Sequence, residues 1–239
     1  MFRHDWRLAG SRKGSGVSHP MWVKAGVHAT SAMRNRLTFS TRRFADLLLF
    51  GVTAIEFVLL FILTPSFIIA DWIYVLQHLL VLGIALTRPR PKVWDYSTAT
   101  SIAVGVAYAY PYAQVICLHW SPGDVAWPRV GLVLITFAAC LSLFSLVTMG
   151  RRFGVRPALR TLVTRGPYKV VRHPIYLSYV IADIGYNLQE WNLVTVFLVL
   201  LGWMSLVYRI YAEERILSAD PEWPIYVGRV RYRLLPGVW

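Results

Sequence analysis

Residues 129–149, "RVGLVLITFAACLSLFSLVTM", decide the fold class, because one arginine is followed only by apolar or small uncharged residues. A helix needs roughly 20 such residues to cross the hydrocarbon core of a bilayer. The whole chain of 239 residues is 56% hydrophobic and only 15% charged. This composition favours a polytopic membrane protein over a soluble domain.

Six apolar segments predict an all-α membrane bundle of about six spans. They cover about 45–70, 72–87, 97–118, 129–149, 175–188 and 192–211. The second and fifth segments are short for a full crossing, so we expect them to be tilted or paired with a neighbour as a hairpin. Before them, residues 1–44 are polar and basic and show no periodicity, which predicts a disordered or loosely attached arm.

The basic residues follow the alternation of these spans. Nine lysines or arginines lie in residues 1–44, three in 88–96, seven in 150–172 and five from Arg209 onward. The intervening loops, "ADW" near 71, "HWSPGDVAWP" and "NLQEWN", contain none. Because basic residues collect in cytoplasmic loops, this pattern predicts that both termini are cytoplasmic.

The net charge of +13 has a second interpretation, a nucleic-acid partner. The loop distribution favours the membrane instead, so we predict no nucleic-acid partner. Cys117 and Cys140 lie inside apolar runs with no CxxC spacing and no neighbouring histidine pair, which predicts packing residues and no metal site. The HEXXH, Walker A, GxGxxG and Ser-His-Asp signatures are absent from the sequence.

The segment "GPYKVVRHPIYLSYV", residues 166–180, is unusually polar for the start of an apolar helix. Gly166-Pro167 predicts a turn, and Pro174 fits the first turn of a new helix. His173 stands where a helix N-terminus leaves backbone N–H groups free for a carboxylate or another anion, and Arg172 adds a full charge. The alternative interpretation is an interfacial aromatic belt with ordinary cytoplasmic basic residues.

A second charged cluster lies in "SLVYRIYAEERILSADPEW", at the end of the sixth segment. Arg209 and Glu213 are four residues apart and therefore share one helix face, whereas Glu214 is expected to point elsewhere. The alternative is an ordinary surface ion pair. The basic, aromatic end of the chain predicts an amphipathic tail that lies on the membrane or folds back over the bundle.

Taken together, these motifs resemble the isoprenylcysteine carboxyl methyltransferase family, which is related to the membrane phospholipid N-methyltransferases. The resemblance rests on G-x-Y-x-x-x-R-H-P-x-Y from Gly166, then E-E-x-x-L from Glu213, then a tyrosine-containing tail that ends in proline. It covers about residues 150–239 and divides the chain into the arm at 1–44, a four-span region at 45–149 and a catalytic region at 150–239.

The resemblance implies an integral membrane enzyme that uses S-adenosylmethionine, with its active site facing the cytoplasm. The cofactor-binding residues that it implies are Arg160, Thr161, Leu162, Val163, Tyr168, Arg172, His173, Pro174, Ile175 and Tyr176. It assigns the substrate carboxylate and the reaction centre to Arg209 and Glu213, where Glu213 either holds Arg209 or sits near the sulfonium. The family tail usually has two tyrosines three residues apart, whereas this chain has Trp223 and Tyr226.

The acceptor implied by the resemblance is a lipid or a lipidated group, methylated on a carboxyl oxygen. Two alternatives stay open: N- or S-methylation of a phospholipid or another small molecule, and a non-enzymatic transporter or assembly factor. A carboxylate acceptor is already ionised near neutral pH and needs only alignment, whereas an amine needs a base such as Glu213.

Overall fold

The described helices run between two ends of a bundle, and the loops at each end contact one another. The computed structural model describes residues 51, 54, 58, 62, 69–89, 93–95 and 97–239. The helices have the bounds α1 Ile69–Thr87, α2 Thr98–Trp120, α3 Pro128–Met149, α4 Pro174–Gln189, α5 Leu193–Leu217 and α6 Trp223–Arg229. The predicted arm at 1–44 and most of the first predicted span lie outside the described residues.

The predicted apolar segments from the second to the sixth each correspond to a helix, α1 to α5. Among the described residues, three helices are long and apolar enough to cross a membrane: α2, α3 with its 3-10 extension to Arg152, and α5. The prediction of a helical membrane protein is confirmed in this coarser form. The turn expected near residue 71 is not there, since α1 already begins at Ile69. Helix α5 continues six residues past the predicted end at 211, so that Glu213 and Glu214 are helical.

The basic loops meet at one end of the bundle, which we call the basic end: residues 88–89, 93–95, 97, 150–173 and 218–239. The loop after α1 forms strand β1, Val93–Trp94, which pairs antiparallel with strand β2, Ala158–Leu159. Arg151 Nε donates to the carbonyl of Thr87, 2.7 Å away, and so covers the end of α1. The sequence interpretation as a purely α-helical chain missed this small sheet, because two residues carry no strand periodicity.

The opposite end of the bundle is formed by the loops 121–127 and 190–192. Asp124 and Trp191 exchange both backbone hydrogen bonds, at 2.8 and 3.0 Å. The Gly123 N–H donates to a carboxylate oxygen of Glu190 at 2.9 Å. The two loops without basic residues therefore lie together, as the charge alternation predicted for one rim.

Polar contacts and glycines fix the helices against one another. The Asp183 carboxylate on α4 accepts from the Tyr110 hydroxyl of α2 at 3.0 Å and from the Trp203 indole of α5 at 2.8 Å. A Cβ at Gly202 would come within 2.7 Å of the Tyr110 ring, so the glycine lets α2 and α5 approach closely. A Cβ at Gly185 would lie 2.9 Å from the Gly131 carbonyl oxygen, which places α3 and α4 backbone to backbone.

Candidate active site

The segment before α4 folds as its sequence predicts. Gly166 has φ of 57°, a backbone conformation that favours glycine, and it opens a 3-10 helix over Gly166–Lys169. Helix α4 then begins at Pro174, which needs no N–H acceptor at that position. His173 is the N-cap residue, yet its side chain does not cap the helix. The imidazole is therefore directed to other partners.

The end of the chain folds back over this helix start, which confirms one of the two predictions for the tail. The N–H groups of Arg172 and His173 donate to the carbonyls of Tyr232 and Arg233, each at 2.9 Å. The N–H groups of Ile175 and Tyr176, in the first turn of α4, have no acceptor among the described residues. The tail therefore takes two of the N–H donors at the predicted anion site, and the N–H groups of Ile175 and Tyr176 remain available.

The two charged clusters of the sequence converge, although His173 and Arg209 are 36 positions apart. His173 Nδ1 lies 3.8 Å from a Glu213 carboxylate oxygen. The Tyr176 hydroxyl donates to the other Glu213 oxygen. The rings of His173 and Tyr176 stack with centroids 5.6 Å apart. The beginning of α4 and the end of α5 therefore build one site, which we call the charged–aromatic cluster: His173, Tyr176, Arg209 and Glu213.

Arg209 lies over this cluster from the α5 side. Its side chain is buried, and the guanidinium carbon sits 5.0 Å from the centroid of the Tyr176 ring. One terminal nitrogen donates to the Val155 carbonyl at 3.2 Å. Arg209 Nε is buried and has no hydrogen-bond partner among the described residues. A buried guanidinium N–H without an acceptor can bind an incoming carboxylate oxygen.

Glu213 does not form an ion pair with Arg209 among the described residues. Its oxygens are taken by Tyr176 and approached by His173. Of the two roles considered for Glu213, a hold on Arg209 is thus not made through an ion pair, and a position near the sulfonium stays a prediction. A carboxylate and a guanidinium on one helix face, both within reach of one tyrosine, present opposite charges to whatever binds between them.

The expectation that Glu214 points elsewhere is wrong. His173 Nε2 lies 3.2 Å from Glu214 Oε1, so the single imidazole is flanked by both glutamates. Arg172 and Arg233 also pair with Glu214, each at 2.9 Å. Charged side chains near a membrane span are usually paired. Applied to Glu214 as well as to Glu213, this rule would have predicted a basic partner for Glu214, for example an arginine of the tail.

The remaining predicted residues differ in their burial and in their partners. Burial lowers the pKa of the Arg160 guanidinium to about 10, and Arg88 adds to the lowering, whereas the nearby Glu213 opposes it. Leu162 packs against Trp223 and Tyr226 of α6. Thr161 is exposed and Val163 half-buried. Pro174 and Ile175 are buried in the first turn of α4.

Tyr168 is buried beneath this segment. Burial raises the pKa of its phenol well above the usual value, and the charge of Glu213 adds to the effect. Its hydroxyl has no partner among the described residues, while its carbonyl accepts from the Tyr226 hydroxyl at 2.9 Å. Tyr226 of α6 therefore supports Tyr168 through the backbone. Among the described residues, His, Cys, Asp and Glu form no group that could hold a metal ion.

Residues 131–219 match the sequence model of the isoprenylcysteine carboxyl methyltransferase (ICMT) family. The match begins in α3, earlier than the predicted start near 150, and ends just after the E-E-x-x-L motif, so that the tail lies beyond it. It confirms the predictions of the family and of a membrane methyltransferase of the isoprenylcysteine carboxyl type. The non-enzymatic alternative loses its support.

Comparison with solved structures gives a eukaryotic intramembrane Ras methyltransferase, ICMT, in its form without a monobody. The two chains are 18% identical, with a TM-score of 0.47, and the match covers 91% of this chain and 90% of the other. No curated protein matches the chain.

Proposed function

We propose that the chain transfers a methyl group from S-adenosylmethionine to a carboxylate on a lipid or lipidated acceptor. The observation that supports this is the meeting of the R-H-P-x-Y segment with the R-x-x-x-E-E segment in one cluster, in which all residues but the half-buried Glu213 are buried. The proposal includes a multi-pass bundle whose basic end, and therefore this cluster, faces the cytoplasm. Such an arrangement admits a polar donor from the cytosol and an apolar acceptor tail from the bilayer.

The residues of the cluster suit the donor. The free N–H groups of Ile175 and Tyr176 and the unpartnered Tyr168 hydroxyl can bind the carboxylate and polar groups of an amino-acid-derived cofactor. The Glu213 carboxylate, which accepts from the Tyr176 hydroxyl, suits a cation. S-adenosylmethionine, when bound, would supply a methyl group on a sulfonium: a carboxylate oxygen would bond to the methyl carbon as the S–CH3 bond breaks, and the neutral thioether would leave without the help of a base. We assign Arg160, Thr161, Leu162, Val163, Arg172, His173 and Pro174 to the same cofactor region.

Arg209 would bind and orient the acceptor carboxylate. Its guanidinium is held from one side by the Val155 carbonyl and from another by the Tyr176 ring, so that its free Nε–H has a fixed direction. When the acceptor is held in this way, its translational and rotational entropy is lost on binding, which lowers the entropic barrier of the methyl-transfer step. Arg209, His173 and Tyr176 are buried, and the low exposure of Arg209 to water strengthens its interaction with an anion.

The reaction is tested with the purified protein in nanodiscs, labelled S-adenosylmethionine and a prenylated cysteine with a free carboxylate. We expect a methyl ester, detected as label that is released as methanol by mild base. Base-stable label in an amine or thioether would contradict carboxyl methylation. An acceptor whose carboxylate is replaced by an amide serves as the control and should accept no label.

A further inference from the structure

Glu214 is the point at which three nitrogen side chains from two separate segments meet. Its Oε1 lies 2.9 Å from Arg172 and 3.2 Å from His173 Nε2. Its Oε2 accepts from Arg233 Nε at 3.0 Å and Nη2 at 2.9 Å. The Glu214 and Arg172 side chains are only 10% and 7% exposed. Two permanent cations thus share one buried carboxylate, and without it they would face each other.

Backbone contacts connect the same two segments. The tail, residues 230–239, offers the carbonyls of Tyr232 and Arg233 to the N–H groups of Arg172 and His173. The Arg172 guanidinium also donates to the Arg231 carbonyl at 3.0 Å. The tail therefore lies along the residues that lead into α4, and the carboxylate of Glu214 joins the side chains of both.

The tail holds Arg233 in place from its other side. The Trp239 carbonyl accepts from the Arg233 N–H at 2.9 Å, and the Arg233 guanidinium lies 5.1 Å from the Tyr211 ring and 5.3 Å from the Trp239 ring. Leu234 is buried with Tyr176 and Ile210. Because Arg233 is fixed in this way, its ion pair with Glu214 ties a folded tail, rather than a loose chain end, to α5.

We propose that Glu214 is a positioning residue: it fastens the tail onto the first turn of α4 and thereby holds Arg172 and His173 beside the methyl-donor site. The donor part of this inference rests on the proposed function, whereas the fastening of the tail does not. Glu214 touches neither Tyr176 nor Arg209, so it acts on the cluster through His173 and the tail.

The fastening is tested by hydrogen exchange of the Arg172 and His173 amides in nanodiscs without donor. In Glu214→Gln we expect exchange about tenfold faster or more, because a charge-assisted hydrogen bond is lost and two cations are left to repel each other. Arg233→Gln, which changes a partly exposed partner and leaves Glu214 paired with Arg172, should accelerate the same amides. Arg231→Gln is the control, because it removes an equal charge from the tail while keeping the carbonyl that Arg172 uses.

The positioning is tested by calorimetric binding of S-adenosylmethionine to the same variants. We expect donor affinity to fall about tenfold in Glu214→Gln and Arg233→Gln and to stay unchanged in Arg231→Gln. Faster exchange without weaker donor binding would overturn the positioning role, and unchanged exchange in both variants would overturn the whole inference. If the wild type binds no S-adenosylmethionine, the proposed function fails, and the exchange result still decides whether Glu214 fastens the tail.

Discussion

The Tyr176 hydroxyl donates a hydrogen bond to the Glu213 carboxylate. This contact joins the third residue of α4 to the end of α5, across 37 positions of sequence. Because Tyr176 also carries the Arg209 guanidinium on its ring face, one side chain sets the positions of both charges of the site. The opposite charges of the cluster are therefore held apart by an aromatic ring rather than neutralised by each other.

Arg209 should control the affinity for the acceptor. Arg209→Gln is expected to raise the acceptor KM by about 10- to 100-fold, because a hydrogen bond to a charged group is lost, and to leave donor affinity nearly unchanged. The acceptor KM of Arg209→Lys should lie between the values of the wild type and Arg209→Gln, since lysine keeps the charge and loses the fork geometry. Arg215→Gln, an exposed arginine on the same helix, is the matched control. Loss of donor binding with an unchanged acceptor KM would contradict the assignment.

The pH dependence of methyl transfer should be weak. The pKa of an α-carboxyl group is about 3.3–3.7, so the acceptor is ionised throughout the range from about pH 6 to about pH 9. We expect single-turnover rates that are nearly constant over this range. A rate that falls as the pH is lowered toward 6 would instead indicate that a proton has to be removed from the acceptor, as for an amine.

Gly166 should be intolerant of a side chain. Its positive φ costs an L-residue roughly 1–2 kcal/mol, and a Cβ there would lie 2.9 Å from the Thr148 hydroxyl. We expect Gly166→Ala to lower the midpoint of thermal unfolding and to weaken donor binding, because the turn positions Tyr168. In the control Gly228→Ala the added methyl group meets no atom within 4 Å. Equal effects of the two substitutions would show that the turn does not require glycine.

Asp183 should stabilise the bundle rather than take part in catalysis. Asp183→Ala leaves the Tyr110 hydroxyl and the Trp203 indole without their acceptor inside the bundle, which costs about 1–3 kcal/mol for each unsatisfied group. Tyr110→Phe removes a single hydrogen bond and should cost less. Denaturant unfolding in nanodiscs measures the stability of the three proteins and should give wild type above Tyr110→Phe above Asp183→Ala. An Asp183→Ala protein as stable as the wild type would contradict this role.

Much of the site could be predicted from sequence because short local patterns mark its residues. Pro174 marks the start of α4, and the spacing of Arg209 and Glu213 places them on one helix face. Gly166-Pro167 likewise marks a turn. These features depend on backbone conformation within a few residues, which propensity and spacing describe well.

Other features depend on partners that are distant in sequence. The pairing of β1 with β2 joins two-residue segments, for which no pattern exists. The contacts of Glu214 were not predicted, because a position on a helix gives the direction of a side chain but not the residues that this side chain meets. The partner that determines its role, Arg233, belongs to a tail whose path along the residues before α4 is set by backbone hydrogen bonds that any sequence can make.

The convergence of the two motifs on one site is tested most directly by a double-mutant cycle. Tyr176→Phe and Glu213→Gln are made singly and together, and kcat/KM for methyl transfer is measured for all four proteins. Because the two groups share one hydrogen bond, the double variant should lose much less than the product of the two single losses. Losses that multiply, so that the coupling free energy is zero, would contradict a shared site.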